Sequence, residues 1–319
     1  MQPTAEMMRA LIIGHTGQDG QLLWEFLSEK KYLLAGVSRN STRVTPGREC
    51  PPPPQIGDAK TWPDWIERFE PDEIYYLAAY HSSSEAFSIH SPEKISAIST
   101  EVHVTGLENI LAAVLKSSPS ARVFYASSSF VFGNPPSPIQ TETSPMKATD
   151  AYGASKIAGT RVCEKFREQF GVFVSVGILY NHESILRKPN FLSQKIIQAA
   201  IRISRGSDEK LILGDLTSIV DWGYAPDFVR AFHLILQAEK ADNYIVATGE
   251  EHTVAEFAEV VFAHLGLKWK DHVEEDPSIL IRPTVTRIGD SSHLRRTTGW
   301  KPALGFEAFI AEIINRALL

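Results

Sequence analysis

Strand-length apolar runs alternate with amphipathic helical stretches through the first half of the chain, and this order limits the folds open to it. The runs cover residues 10–13, 33–37, 73–77, 122–126 and 172–178, and helical stretches between them cover 21–29, 102–116 and 151–170. Such alternation is typical of a doubly wound parallel sheet with right-handed crossovers and helices on both faces. We therefore expect an α/β fold that binds its ligands beyond the carboxyl ends of the strands.

The second half of the chain breaks into polar loops and shorter elements from about Asn181. The pattern predicts helices at 191–205, 225–238, 254–265 and 306–317, a short strand at 211–213 and one more sheet strand at 244–247. The prolines at 51–54 predict a loop, because proline is excluded from helix interiors and central strands. We expect a larger domain at 1–180, completed by about 219–248, and a smaller domain formed by 181–218 and 249–319.

Composition excludes several classes of protein. Of the 319 residues, 22% are charged and 43% hydrophobic, and the net charge is −6 with the basic residues scattered, which argues against a nucleic-acid or lipid surface. No stretch approaches the roughly 20 apolar residues of a membrane span, and the first residues lack a secretory pattern. Cys50 and Cys163 lack the spacing of a metal site or a disulfide framework. We expect a cytoplasmic protein that binds no structural metal.

A glycine-rich loop, Gly14-His-Thr-Gly17-Gln-Asp-Gly20, follows the first predicted strand and opens into a helix. Gly14 would allow a tight turn, Gly17 the approach of a pyrophosphate, and Gly20 close packing of helix on strand. A plain glycine turn is the alternative, but the strand, loop and helix stand in the order of a dinucleotide-binding Rossmann unit. Cofactor contacts are therefore expected along the loop, including Thr16, Gln18 and Asp19.

The end of the second predicted strand bears on which dinucleotide is bound. An NAD enzyme usually places a carboxylate there for the ribose hydroxyls, but this chain has Ser38-Arg39-Asn40. A guanidinium suits the 2′-phosphate of NADP, although Arg39 could also be a solvated surface charge. Asp58, after an expected third strand, could accept a hydrogen bond from adenine or belong to a surface turn.

A tyrosine and a lysine, Tyr152 and Lys156, lie one helical turn apart on the same helix face. The adjacent ammonium should favour the phenolate form of Tyr152, because an opposite charge lowers the pKa of an acid. Ser128 follows the fifth predicted strand, where its hydroxyl could meet the substrate oxygen, although a serine run there is also common in turns. Together these residues predict acid/base catalysis of hydride transfer.

Several segments carry a family resemblance that spans nearly the whole chain. The residues concerned are 14–20 (GHTGQDG), 77–79 (LAA), 152–156 (YGASK), 178–184 (ILYNHES), 190–191 (NF), 221–223 (DWG), 247–250 (ATGE) and 299–302 (GWKP). They resemble the extended short-chain dehydrogenases/reductases that act on nucleotide sugars, and most closely the GDP-mannose 4,6-dehydratase family. The resemblance implies an NADP enzyme that oxidises the C4 hydroxyl of a GDP-hexose.

The same resemblance implies roles for individual residues. Ser128 matches the catalytic Thr/Ser, Tyr152 the base and Lys156 its partner. Contacts with the cofactor are implied for Leu77 and Ala79, and contacts with the substrate for Ser82, Ser129, Asn181, Asn190, Lys195 and Arg282. Asn190 as a helix cap and Lys195 as a solvated residue are the alternatives. A homodimer, or a dimer of dimers, through helices at 102–116 and 151–170 is also implied.

Two residues depart from the family pattern. A 4,6-dehydratase needs a carboxylate two residues after its catalytic Thr/Ser, to remove the C5 proton and protonate C6, but this chain has Phe130 there. The arginine expected just before the DWG segment is Val220, which removes a phosphate contact. Three alternatives follow: a dehydratase with a relocated base, a 4-keto reductase or 4-epimerase that needs only Ser128, Tyr152 and Lys156, or a non-catalytic NADP-binding regulator.

Overall fold

The computed structural model describes residues 7–39, 41–45, 54, 56–80, 91–280 and 285–319. Its strands are β1 (Arg9–Ile13), β2 (Leu33–Ser38), β3 (Ser41–Val44), β4 (Glu73–Tyr76), β5 (Arg122–Ser128), β6 (Ile139–Gln140), β7 (Val174–Leu179), β8 (Asn181–Glu183), β9 (Leu211–Leu213), β10 (Ile219–Val220), β11 (Trp222–Tyr224), β12 (Asn243–Val246), β13 (His252–Thr253), β14 (Val273–Glu275) and β15 (Ile288–Gly289). Its α-helices are α1 (Gln18–Glu29), α2 (Trp62–Phe69), α3 (Pro92–Thr100), α4 (Gly106–Ser117), α5 (Ala151–Phe170), α6 (Leu192–Ser204), α7 (Ala225–Gln237), α8 (Val254–His264), α9 (Ser292–Thr298) and α10 (Phe306–Leu318). A π-helical segment, Glu101–Thr105, joins α3 to α4.

Seven strands form the central sheet in the order β12-β7-β5-β4-β1-β2-β3. All neighbours are parallel except β3, which pairs antiparallel with β2 at the edge. The inner strands are buried on both faces, which explains why they appear in the sequence as continuous apolar runs. The predicted doubly wound α/β sheet is confirmed, and the run predicted at 244–247 is its far edge strand.

Helices cover both faces of this sheet. On one face α2, α4 and α5 pack against alternate residues of the inner strands around a core that includes Trp62, Leu111 and Tyr125. On the other face α1 and α7 enclose a second core around Leu23, Phe124 and Phe232. The sheet is thus fixed from both sides, and the carboxyl ends of β1, β4, β5 and β7 stay at one edge where loops can form a site.

A third hydrophobic core lies outside the sheet. It is formed by α6, α8 and α10 with the short strands β9, β11 and β14, and includes Ile197, Trp222, Phe257 and Ile310. Residues from two separate stretches of chain therefore pack together beside the sheet. The boundaries proposed for the two domains stay a prediction.

Some element boundaries differ from the sequence predictions. Helix α1 begins at Gln18 rather than Gln21, because Gly17 is its N-cap and the glycine loop is shorter than expected. The helix predicted from 102 begins with the π segment, and α4 starts at Gly106. A third strand does precede Asp58: it is β3, which ends at Val44, and turns surround Asp58. Helix α2 was not predicted.

No described helix has both the length and the apolarity needed to cross a membrane.

Candidate active site

The glycine loop between β1 and α1 is shaped by close backbone approaches. Gly14 has a φ of +96°, and a Cβ on it would lie 2.7 Å from the amide nitrogen of Ala78. A Cβ on Gly20 would lie 2.4 Å from the carbonyl oxygen of Gly14, so α1 packs directly on the loop. At Gly17 the nearest atom is 3.4 Å away, which leaves this backbone open as expected for the approach of a phosphate.

The N-terminus of α1 suits an anion. Its N-cap, Gly17, offers no side chain to accept a hydrogen bond from the first-turn N–H groups. Leu77 and Ala79, which follow β4, lie beside this loop, because the Leu77 N–H donates to the Ile13 carbonyl at 2.9 Å. The residues present therefore fit a dinucleotide, whose pyrophosphate Gly17 and the α1 N–H groups would hold.

Two polar side chains of the loop bind it to β8. Gln18 Nε2 donates to the His182 carbonyl at 3.1 Å, and the Ser184 hydroxyl donates to Gln18 Oε1 at 2.9 Å. Asp19 lies 3.0 Å from His182 Nε2. Burial opposes both charges, yet their mutual attraction lowers the pKa of Asp19 and raises that of His182. Gln18 and Asp19 thus position the loop, and their predicted contact with the cofactor stays a prediction.

The residues predicted at the adenosine end lie near the sheet edge. Arg39 is exposed directly after β2. Beside it, the hydroxyls of Ser38 and Ser41 lie 2.8 Å apart, and the Arg43 guanidinium packs 4.3 Å from the centroid of the Trp24 ring. Asp58 accepts a hydrogen bond from the Lys60 N–H at 2.9 Å, as in a surface turn. The roles of Arg39 and Asp58 stay predictions.

The three predicted catalytic residues come together at the carboxyl end of β5. Ser128 is the last residue of β5, and its side chain is hydrogen-bonded to that of Tyr152. Tyr152 and Lys156 lie in the first two turns of α5, whose start is fixed by Asp150 accepting the Gly153 N–H at 2.7 Å. Lys156 Nζ lies 5.8 Å from the centroid of the Tyr152 ring and donates to the Ala126 carbonyl at 2.6 Å.

The electrostatics of this group differ from the sequence expectation. Desolvation raises the pKa of Tyr152 to about 12, and the hydrogen bond from Ser128 only partly opposes it. Desolvation also lowers the pKa of Lys156 to about 7, because the residue is only 1% exposed. Burial thus acts against the phenolate form that the sequence analysis expected for Tyr152.

A histidine that the sequence analysis missed lies behind Tyr152. His103 is fully buried in the π-helical segment, and its ring meets the Tyr152 ring edge-on at 5.5 Å between centroids. Its Nε2 accepts the Tyr80 N–H at 3.2 Å, which leaves Nδ1 to donate to the Ser155 hydroxyl at 2.8 Å. Ser155 in turn donates to the Tyr152 carbonyl at 2.7 Å. No motif marks His103, because its contacts depend on tertiary packing.

A cavity of about 450 Å³ opens next to this group. Ser129 and Asn181 line it, and their predicted contact with the substrate stays a prediction. Asn190 is exposed, and Lys195 lines a separate cavity of about 280 Å³ beside Arg202 and Lys210, so the structure does not bring these two residues to the large cavity. Ser82 and Arg282 lie outside the described residues.

Phe130 lies at the wall of the large cavity, where the family pattern has a carboxylate. Its ring meets the Tyr152 ring edge-on at 5.8 Å between centroids. The Arg287 guanidinium lies 4.6 Å from the Phe130 centroid and also lines the cavity, as does Arg187. Arg287 does not stand out in the sequence, because no motif surrounds it and its contact with Phe130 joins residues far apart in the chain.

Four carboxylates line the described part of this cavity, and each already accepts hydrogen bonds from the chain. Asp150 caps α5, and Glu183 accepts the Ser193 hydroxyl and lies 3.5 Å from Arg187 Nε. The other two accept hydrogen bonds from nearby loops. Asp215 accepts hydrogen bonds from Thr217 and Ser218, and Asp221 accepts them from Thr248, Gly249 and Gly289. All four thus have structural contacts.

Comparisons with known proteins agree with the fold. The family model described as GDP-mannose 4,6 dehydratase matches residues 11–313. GDP-mannose 4,6 dehydratase 1 of Arabidopsis thaliana is 39% identical over 97% of this chain and 89% of its own length. Among solved structures, dTDP-glucose 4,6-dehydratase (rfbB) from Bacillus anthracis in complex with NAD has a TM-score of 0.80 at 19% identity, covering 97% and 96% of the two chains. RMD from Pseudomonas aeruginosa complexed with NADPH has a TM-score of 0.78 at 22% identity, covering 97% and 98%.

The fold and these relatives define an enzyme of the extended short-chain dehydrogenase/reductase class. Within it, the chain belongs to the GDP-mannose 4,6-dehydratase family, since the family model and the Arabidopsis relative both extend over nearly its whole length.

Proposed function

We propose that this protein is an NADP-dependent oxidoreductase that transfers a hydride at C4 of a GDP-hexose without eliminating water. Reduction of a 4-keto sugar, or epimerisation at C4, is the reaction. The observation that carries this proposal is Phe130, which fills the place of the dehydratase carboxylate. Its ring centroid lies 5.8 Å from that of Tyr152. The GDP-hexose class and the nicotinamide cofactor follow from the family, whose members are GDP-mannose 4,6-dehydratases by name.

The residues proposed to meet the C4 oxygen of the sugar, Tyr152 and Ser128, support the reductive direction. When bound, the nicotinamide supplies or accepts the hydride. A pKa of about 12 keeps the Tyr152 phenol protonated at neutral pH, so Tyr152 can donate its proton to a carbonyl oxygen. Ser128, hydrogen-bonded to Tyr152, orients the same oxygen. A neutral acid and a hydrogen-bond donor are what the reduction of a ketone requires.

Water elimination needs a group that removes the proton at C5. Phenylalanine has no ionisable group, and the four carboxylates that line the described part of the cavity hold backbone or side-chain donors. A dehydratase with a relocated base is the second candidate. It is favoured by the 39% identity with the Arabidopsis dehydratase over 97% of this chain.

NADP is proposed over NAD because Arg39 stands, exposed, where a carboxylate would contact the ribose hydroxyls. We expect Arg39→Glu to lose roughly 1.5–3 kcal/mol of NADPH binding, because a charge-assisted contact is replaced by repulsion. Fluorescence titrations with NADPH and NADH measure this, and NADH affinity should change little. Equal NADPH affinity in the variant and the wild type would contradict the assignment of Arg39.

Turnover tests the proposed reaction. The protein should oxidise NADPH when given GDP-4-keto-6-deoxyhexose and should release no 4-keto-6-deoxy product from GDP-mannose. Tyr152→Phe, which keeps the ring packed against Phe130 and His103, should lower kcat by roughly 10²–10⁴-fold because the proton donor is lost. Absorbance at the NADPH band and mass analysis of the sugar give the readouts. NADPH binding without turnover of any nucleotide sugar would favour the regulatory alternative.

We also propose that the protein is cytoplasmic and that it assembles as a homodimer through α4 and α5. Leu115 on α4 and Phe170 at the end of α5 are large apolar residues that remain exposed. Light scattering on the purified protein measures the mass of the assembly.

A further inference from the structure

The π-helical segment between α3 and α4 places one of its residues, His103, between two parts of the candidate site. The buried hydroxyl of Tyr125, on β5, donates to the His103 carbonyl at 3.4 Å, and that of Tyr76, on β4, donates to the carbonyl of the residue before it. A Cβ on Gly159 would lie 2.6 Å from the His103 carbonyl oxygen, so α5 packs directly on the segment. π-Helical turns are rare and are often found at functional sites. The backbone of His103 is thus fixed from the sheet and from α5.

The two ring nitrogens of His103 have opposite roles. Nε2 accepts the Tyr80 N–H at 3.2 Å, so this nitrogen carries no proton. Nδ1 then carries the proton and donates to the Ser155 hydroxyl at 2.8 Å. Ser155 in turn donates to the Tyr152 carbonyl at 2.7 Å. The neutral imidazole satisfies all three bonds, whereas an imidazolium would place an N–H against the Tyr80 N–H.

These bonds connect the catalytic helix with the proposed cofactor loop. Tyr80 ends the described stretch that follows β4, and the same stretch borders the glycine loop: a Cβ on Gly14 would lie 2.7 Å from the Ala78 nitrogen. On its other side the His103 ring meets the Tyr152 ring edge-on, at 5.5 Å between centroids. A continuous set of contacts therefore runs from the expected pyrophosphate site through His103 to Tyr152.

We propose that His103 is a positioning residue for Tyr152 in the hydride transfer. The proposal rests on the function proposed above and adds the residue that orients its proton donor. Ser128 holds the hydroxyl of Tyr152, and His103 holds its ring and the first turn of α5. His103 is fully buried, so it acts through Tyr152 and not on the substrate. Orientation matters here because a displacement of about 1 Å at a reacting group can cost roughly a hundredfold in rate.

Turnover of GDP-4-keto-6-deoxyhexose with NADPH tests the proposal. His103→Phe keeps an aromatic ring beside Tyr152 but removes both hydrogen bonds of the imidazole. It should lower kcat by roughly tenfold to a hundredfold, while KM and the Kd for NADPH stay within about threefold of the wild type. His103→Gln, whose amide offers both an acceptor and donors, should keep more of kcat than His103→Phe does.

A second variant keeps the test valid if His103→Phe does not fold. Ser155→Ala removes only the bond to the Tyr152 carbonyl and should also lower kcat. In the double variant, kcat should fall no more than about twofold below that of His103→Phe, because both changes interrupt the same path. The matched control Ser175→Ala removes a buried serine of β7 outside the cavity and should turn over as the wild type does. Losses that multiply in the double variant would overturn the proposal.

Backbone hydrogen exchange, followed by mass spectrometry, gives a readout that needs no turnover. Residues 152–156 should exchange faster in His103→Phe and Ser155→Ala than in the wild type, while residues 160–170 stay unchanged. Faster exchange with an unchanged kcat would assign His103 a structural role only and overturn the proposal, as would unchanged exchange. A wild type that binds NADPH but does not turn over the keto sugar would overturn the proposed function, and exchange alone would then decide on His103.

Discussion

Desolvation shifts the pKa values of Tyr152 and Lys156, the two ionisable residues of the predicted catalytic group, in opposite directions. It raises the pKa of the Tyr152 phenol to about 12 and lowers that of the Lys156 ammonium to about 7. Both shifts favour the neutral form, because the low-dielectric interior disfavours either charge. A neutral phenol suits proton donation, and a lysine near half protonation at pH 7 can respond to a bound anion.

The shifted lysine gives a prediction for stability. The pKa of Lys156 is about 7 in the folded protein and ordinarily 10.5 in an unfolded chain, so between these two pH values the unfolded state binds more protons. Stability should then rise with pH in this window. Relative to Lys156→Met, the wild type should gain on the order of 1–2 kcal/mol of unfolding free energy between pH 7 and 8.5. Urea unfolding of both proteins at both pH values measures it, and parallel pH slopes would refute the assignment.

At the scale of single elements, the loop before α1 shows how two glycines serve different purposes. A methyl group on Gly20 would lie 2.4 Å from the Gly14 carbonyl oxygen, inside a packed contact. A methyl group on Gly17 would meet only the Gly14 oxygen at 3.4 Å, and its φ of −73° suits alanine. A substitution at Gly20 is therefore expected to disturb the fold, and one at Gly17 only the binding of the ligand.

Thermal melts and NADPH titrations separate these effects. Gly20→Ala should lose roughly 1–3 kcal/mol of stability, as overpacked sites do. Gly17→Ala should melt close to the wild type but bind NADPH at least tenfold more weakly, because the methyl group occupies the approach of the pyrophosphate. If Gly17→Ala bound NADPH as tightly as the wild type, the loop would not be the pyrophosphate site.

Elements with strong local signals could be predicted from the sequence. Helix α5 runs from Ala151 to Phe170 as predicted, because Asp150 caps its start and Gly171 ends it with a φ of +68°. The short strands β8 and β11 could not be predicted: each has three residues, and they pair across 41 positions of sequence, Asn181 beside Trp222.

At the scale of the whole molecule, the candidate site lies where the sheet meets the third core. Ser129 and Phe130 reach the cavity from the end of β5, and Trp222 and Val254 reach it from the third core. The Ser128, Tyr152 and Lys156 group could be found in the sequence because Tyr152 and Lys156 are four residues apart and Ser128 follows a predicted strand. His103 and Arg287 escaped detection because only the packing of distant segments brings them to the site.

The central claim is that the site moves a hydride at C4 without removing the proton at C5. Incubation with NADP⁺ and GDP-mannose in D₂O, followed by mass spectrometry and proton NMR of the recovered sugar, tests it most directly. A dehydratase would incorporate solvent deuterium at C5, because its base removes the C5 proton and C5 takes up a solvent proton after elimination, whereas C6 receives the hydride carried by the cofactor. We predict GDP-hexose without deuterium at C5 or C6 and without loss of water. Deuterium at C5 of a 4-keto-6-deoxy product would contradict the account.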